Sequence, residues 1–165
     1  MDLRTTRTIK SAIEIRAPRE VVWRVLADFP AYREWNPHLR QIRGRPAEGR
    51  RLMVLSQPDG ARALALRPKL LVWQPPEEFR WRASFISRRV FSGEHGFRLG
   101  ELPGGRVRFV HDETFKGFLV PLYSLLRLRA TRRGFAQMNE ALRDRAESIA
   151  AAEIGEELSP TGTAG

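Results

Sequence analysis

Phe91-Ser92-Gly93-Glu94-His95-Gly96-Phe97-Arg98-Leu99 and, past the turn residues Pro103-Gly104-Gly105, Val107-Arg108-Phe109-Val110-His111-Asp112-Glu113-Thr114-Phe115 decide how this chain folds. Side chains of a strand point to opposite faces in turn, so every second residue shares an environment. Phe91, Gly93, His95, Phe97 and Leu99 fall on one face of the first run, and Val107, Phe109, His111, Glu113 and Phe115 on one face of the second. The opposite faces carry Ser92, Glu94 and Arg98, then Arg106, Arg108, Asp112 and Lys116. The aromatic faces must therefore point inward, and they take His95, His111 and Glu113 with them. Joined as a hairpin, the two strands have two registers that set His95 opposite either His111 or Glu113.

The strand reading extends upstream over residues 39–43, 51–56, 62–73 and 79–86. Turn chemistry divides these runs at Gly44-Arg45-Pro46, Pro58-Asp59-Gly60 and Pro75-Pro76. Pro68, inside the longest of them, predicts a bulge or break, because proline cannot donate to a ladder. Residues 8–15 add a first strand, with Ile9, Ile13 and Ile15 opposed to Lys10, Glu14 and Arg16. Seven strands joined mostly by short loops imply an antiparallel meander. Between the first two strands, Pro18 suits a first helical turn, and Val21, Val22, Val25, Leu26 and Phe29 give that helix one apolar face. A second short helix fits residues 31–35 and stops at Asn36, since a residue before proline avoids the α region. Trp35-Asn36-Pro37 is thus read as a packing and helix-stop feature.

Downstream, Leu128, Phe135, Met138, Leu142 and Ile149 form one stripe of a long helix over residues 125–152, with Arg129, Arg132, Arg133, Arg143 and Arg145 as its solvated face. From Glu153 onward Gly, Ser, Pro and Thr occur without periodicity, and residues 153–165 are expected to be a disordered tail. Residues 1–152 are then a single α+β domain in which a curved antiparallel sheet wraps the long helix.

The order strand, two short helices, six strands, long helix resembles the START-like, or SRPBCC, superfamily with its helix-grip fold. Within it the chain is similar to the polyketide cyclase/dehydrase-like group. The likeness rests on Ile13-Glu14-Ile15-Arg16-Ala17-Pro18 with Val22-Trp23, and on Phe29-Pro30-Ala31-Tyr32-Arg33-Glu34-Trp35-Asn36-Pro37. Phe91-Ser92-Gly93-Glu94-His95-Gly96-Phe97 and Glu113-Thr114-Phe115-Lys116-Gly117 complete it. The resemblance spans roughly residues 8 to 150 and implies an internal cavity for a small hydrophobic molecule. It does not name an activity, because such folds host carriers, receptors and cyclases alike.

Composition narrows the function further. Of the 29 basic residues 26 are arginine, scattered from Arg4 to Arg145, so the net charge of +10 reads as a bias toward arginine and not as a nucleic-acid footprint. No apolar run approaches the roughly 20 residues that cross a bilayer. Met1-Asp2-Leu3-Arg4 lacks the layout of a signal peptide, so a cytoplasmic location is expected, as a monomer or homodimer. The chain has no cysteine, no glycine-rich phosphate loop and no G-x-S-x-G elbow. Covalent catalysis and a bound cofactor are therefore not expected.

His95, His111 and Glu113 are the candidate catalytic residues. Three ionisable groups on an apolar face are costly unless paired or used. They form either a satisfied polar cluster, with Glu113 accepting from both imidazoles, or an acid–base site in which Glu113 sets a histidine's tautomer. A two-His, one-carboxylate metal site has the residue types but not the spacing, and no metal is expected. Trp81 and Phe85, facing the same way as Phe79, join Phe97, Phe109, Phe115, Phe135 and Met138 as candidate core or cavity wall. Phe118 and Leu119, in the loop expected at residues 117–122, are a candidate gate or a plug of the core. As a gate they would touch a membrane surface transiently while Arg127 and Arg129 meet anionic headgroups. Two functions follow: a carrier of a hydrophobic small molecule, or a cyclase, aromatase or dehydratase working through the His–Glu cluster.

Overall fold

β7 (Phe91–Leu102) and β8 (Arg106–Gly117) are the two longest strands of the computed structural model, which describes residues 5–57 and 62–158. Their register sets His95 opposite Glu113 and Phe97 opposite His111, one of the two pairings the alternation allows. On the far side of β8 runs β1 (Thr5–Ile15), and on the far side of β7 run β6 (Glu78–Phe85) and β5 (Lys69–Gln74). All neighbours in this five-stranded sheet are antiparallel. The strands β2 (Leu39–Arg43), β3 (Met53–Ser56) and β4 (Leu64–Leu66) form a second antiparallel sheet.

Among the described residues there are thus eight strands in two sheets, where the sequence predicts seven in one. The difference lies at Pro68, which splits the run 62–73 into β4 and β5. Lacking an N–H, Pro68 can only accept, and it does so from the Leu52 N–H at 2.9 Å. Leu70 N–H donates to Arg50 O and Gly49 N–H to Leu70 O, both at 2.8 Å, so the two sheets are joined along residues 49–52. The expected turn at Pro58-Asp59-Gly60 lies outside the described residues.

The helices α1 (Arg19–Ala27) and α2 (Tyr32–Trp35), with a 3-10 turn at Phe29–Ala31 between them, close one end of the sheet. Pro18 stands just before α1, and its carbonyl accepts from the Val21 and Val22 N–H groups. Asn36 ends α2 in an extended conformation, as the following proline demands, and its Oδ1 accepts from the His38 and Leu39 N–H groups at 2.9 and 2.8 Å.

The helix α3 (Val120–Leu158) is longer at both ends than its apolar stripe suggests. Gly117 ends β8 with φ of 135°, and a Cβ there would lie 2.4 Å from Val90 O, so only glycine makes this turn. Three residues later the helix begins, with Pro121 in its first turn. Leu122, Leu125 and Leu126 are exposed, which is why no buried stripe announces this start. At the other end, residues 153–158 are helical where a tail is expected, and Glu153 is held by Arg24 at 2.5 Å. Residues 159–165 lie outside the described residues.

Two apolar clusters flank the space inside the grip. The larger packs Met138, Leu142, Ala146 and Ala150 of α3 against α1 and the strands around Phe79 and Phe109. The smaller gathers Ile9, Phe115, Val120 and Phe135. Full burial of a leucine such as Leu142 contributes roughly 1.5–3 kcal/mol, so the C-terminal half of α3 is what the sheet holds. Among the described residues no helix is long and apolar enough to cross a membrane.

Candidate functional site

A cavity of about 460 Å³ lies between α3 and the concave face of the sheet. Strand alternation turns Trp81, His95, Glu113 and Phe115 into it, and α3 covers it with Phe135 and Met138. Phe97 and Phe109, expected in the wall, are buried in the adjoining core and do not line the space. Phe85 lines it from the rim, 61% exposed, beside the exposed Arg62 and Leu64 and the α3 residues Tyr123 and Arg127. The expected gate residues lie next to this mouth and not in the wall. Phe118 is 54% exposed and Leu119 half-buried, hung from the β6–β7 turn by Phe118 N–H to Arg89 O and Leu119 N–H to Val90 O.

His95, His111 and Glu113 come together, but wired otherwise than expected. Asn139 Nδ2 donates to Ser11 Oγ at 2.9 Å, which leaves Asn139 Oδ1 to accept from His111 Nδ1–H at 2.8 Å. A neutral His111 then presents a lone pair on Nε2, and this accepts from His95 Nε2–H at 2.6 Å. The remaining lone pair, on His95 Nδ1, is 3.7 Å from Glu113 Oε2. Glu113 is therefore not the acceptor for both rings: His111 is served by Asn139 and reaches Glu113 only through His95.

Surroundings explain why this chain is uncharged. The His111 ring lies flat on Phe135, centroids 3.6 Å apart, and His95 stacks on Phe97 at 4.6 Å. Burial lowers His111 to a pKa of about 4, against the opposing pull of the Asn139 hydrogen bond. Burial, then His111 and Arg80, push His95 well below the usual imidazole value. Burial, helped by Asp112, raises Glu113 to about 8. Near neutrality the 3.7 Å contact therefore joins a carboxylic acid to a neutral imidazole and is not an ion pair.

Behind the strand, Arg80 binds Asp112 through two hydrogen bonds of 2.9 and 3.1 Å, so the charges stay on the convex face. Gly93 makes room for the acid: a Cβ there would stand 2.7 Å from Glu113 Oε1. Among the described residues no group of three His, Cys, Asp or Glu side chains is placed to hold a metal ion.

Asn139 and Ser11 escape the sequence reading, yet each carries a signal. Asn139 stands four residues after Phe135 and three before Leu142, a polar residue in an apolar stripe, and Ser11 interrupts the inward face between Ile9 and Ile13.

Residues 6–150 match the sequence model of the family described as polyketide cyclase/dehydrase and lipid transport. The chain belongs to that family. It lies within the SRPBCC superfamily, and its sheet and long helix have the helix-grip architecture that the motifs imply. As a member of the polyketide cyclase/dehydrase and lipid transport family, it shares its fold with solved structures of low sequence identity. The di-domain ARO/CYC BexL from the BE-7585A biosynthetic pathway is 14% identical over 88% of this chain, with a TM-score of 0.65, and this chain spans 50% of it. Protein MLL2253 from Mesorhizobium loti is 20% identical over 86% of this chain and 98% of its own, with a TM-score of 0.66. Norcoclaurine synthase from Thalictrum flavum, as a point mutant in complex with a transition-state analogue, is 11% identical over 88% of this chain and 97% of its own, with a TM-score of 0.67. These likenesses concern the fold alone. No match emerges among curated proteins.

Proposed function

We propose that the protein binds a small, largely hydrophobic molecule, lipid-like or polyketide-like, in the cavity beneath α3. The observation that carries this reading is the cavity of about 460 Å³, mostly apolar, with a polar cluster of His95, His111 and Glu113 in its wall and Arg62 and Arg127 at its rim. Ligand sites of this size commonly pair apolar walls with a few orienting polar groups. Trp81, Phe115, Phe135 and Met138 hold the ligand body, and the Glu113 acid donates to a carbonyl or hydroxyl oxygen. Phe97 and Phe109 act from behind, by packing the wall, and Phe85 acts at the rim. Titration with Nile red, a neutral hydrophobic probe, tests the reading through tryptophan emission. Because Trp81 alone of the tryptophans lines the cavity, Trp81→Phe removes most of the response. A response of undiminished size in that variant places the probe elsewhere and overturns the assignment.

A second reading, an acid–base enzyme of the cyclase or dehydratase kind, draws on the 3.7 Å pairing of the Glu113 acid with the His95 lone pair. In a dehydration, His95 Nδ1 takes the proton α to a carbonyl and Glu113 gives its proton to the departing hydroxyl, so the substrate loses water. Return of the proton from His95 to Glu113 resets the pair. The sign of such chemistry is faster deuterium exchange α to the carbonyl of a bound aryl ketone, lost in Glu113→Gln. Exchange at the rate of buffer alone leaves the binder.

A further inference from the structure

We propose that the cavity takes its ligand in one direction, as an anionic amphiphile whose tail reaches Trp81 and whose acid group stays at the mouth between Arg62 and Arg127. This deepens the binding reading above and rests on it. The argument starts from where charge is tolerated. The deep wall of the cavity is where Trp81 and His95, 4% and 9% exposed, stand beside Glu113, and apart from the histidines, Arg62 and Arg127 are the only cationic side chains that line the space among the described residues. A carboxylate or phosphate pushed against that wall would lose its water and meet an acid that is itself kept uncharged by burial, an unfavourable placement with no countercharge.

At the rim the balance reverses. Arg62 and Arg127 both line the cavity and both remain exposed, so an anion between them keeps part of its hydration. Among the described residues neither guanidinium is engaged in an ion pair or side-chain hydrogen bond, whereas Arg80, Arg82 and Arg145 are each paired with a carboxylate. On the α3 side of the mouth the sequence carries charge of one sign. From residue 114 to residue 139 there is no acidic residue, against five basic ones, Lys116, Arg127, Arg129, Arg132 and Arg133. Arg88 and Arg89 stand in the adjoining β6–β7 turn, which is tied to Phe118 and Leu119. A planar guanidinium suits either acid group, binding a carboxylate or a phosphate through paired N–H donors.

The experiment compares dodecanoate and dodecyl phosphate with dodecanol, read by tryptophan emission at pH 7.5 and low salt. Both anions bind at least about ten-fold more tightly than the alcohol, the order expected of a charge-assisted contact. Arg62→Ala with Arg127→Ala brings acid and alcohol within about two-fold of each other, again one contact's worth lost. The ratio between the two anions tells which acid group the mouth prefers. Direction is read with brominated acids: bromine on the terminal carbon of dodecanoate quenches tryptophan emission, bromine next to its carboxylate does not, and Trp81→Phe abolishes the quenching. Alcohol binding as tightly as the acids, or stronger quenching by bromine beside the carboxylate, overturns the proposal. Should the acids fail to bind while Nile red still enters beside Trp81, this inference falls and the cavity reading stands. Should neither bind, both fall.

Discussion

Glu113 is the residue whose environment has the most to say about pH. Its carboxyl side chain is 17% exposed, and burial raises its pKa from the ordinary 4.5 to about 8. A raised carboxyl pKa favours the protonated folded state, so its stabilisation is complete below pH 4.5 and is lost as pH rises through 8. The histidines act in the opposite sense. His111 falls from 6.5 to about 4, so stability is lost as pH drops below 6.5. Together they predict greatest stability near pH 6–7. Glu113→Gln keeps the shape without the titration, and thermal melts should show it equal to the native chain at pH 4.5 but more stable at pH 8, by on the order of 4 kcal/mol at ~1.4 kcal/mol per pKa unit. Coincident melting curves at pH 8 would show the acid to be solvated and freely ionised. His95, His111 and Glu113 were legible because a period of two admits no other face for them. Their wiring was not, since Asn139 Nδ2 meets Ser11 Oγ across a separation of 128 residues. Local patterning does not encode which polar side chains meet over that distance.

At the scale of elements, α3 is two helices in one. Its C-terminal half presents Met138, Leu142, Ala146 and Ala150 to the main core, while Leu122, Leu125 and Leu126 near its start face outward. Substitutions should divide accordingly. Leu142→Ala leaves a hole in packed surroundings and costs about 2–5 kcal/mol, whereas Leu125→Ser, at 82% exposure, changes stability by no more than about 0.5 kcal/mol. Chemical denaturation of both variants measures the contrast, and a comparable loss in Leu125→Ser would mean that the first turns of α3 are covered by something. The same division explains what periodicity reveals. The stripe from Leu128 to Ile149 marks the longer gripped part of the helix, whereas before Leu125 only Val120 and Tyr123 turn inward, too few to extend that stripe. Likewise Pro68 announces the break between β4 and β5, but not that β4 joins a separate sheet. That outcome depends on β2 and β3 pairing with each other and with β4, a matter of which strands meet and not of how each alternates.

Over the whole molecule, charge and exposed apolar surface coincide at one end. Phe118 and Leu125 stand out from the chain near the cavity mouth, 54% and 82% exposed, within the stretch that carries five basic residues and no acidic one. A second copy of the chain is a poor cover for this surface, since docking would bring two sets of arginines together. An anionic bilayer suits it on both counts: leucine and phenylalanine enter the headgroup boundary, and each arginine near the surface contributes about 1 kcal/mol. The chain should therefore sediment with phosphatidylglycerol vesicles and not with phosphatidylcholine ones. Since the Debye length shrinks from about 10 Å at 0.1 M salt to about 3 Å at 1 M, added salt should release most of it. Phe118→Ser with Leu125→Ser should weaken vesicle binding while leaving the melting temperature and the Nile red response in place, because neither side chain lines the cavity. Binding that ignores lipid charge would assign the contact to apolar insertion alone. A doubled mass in light scattering, abolished by the same two substitutions, would make this end a dimer interface after all, with the arginines facing a counter-surface on the second copy and the mouth closed by it instead of by lipid.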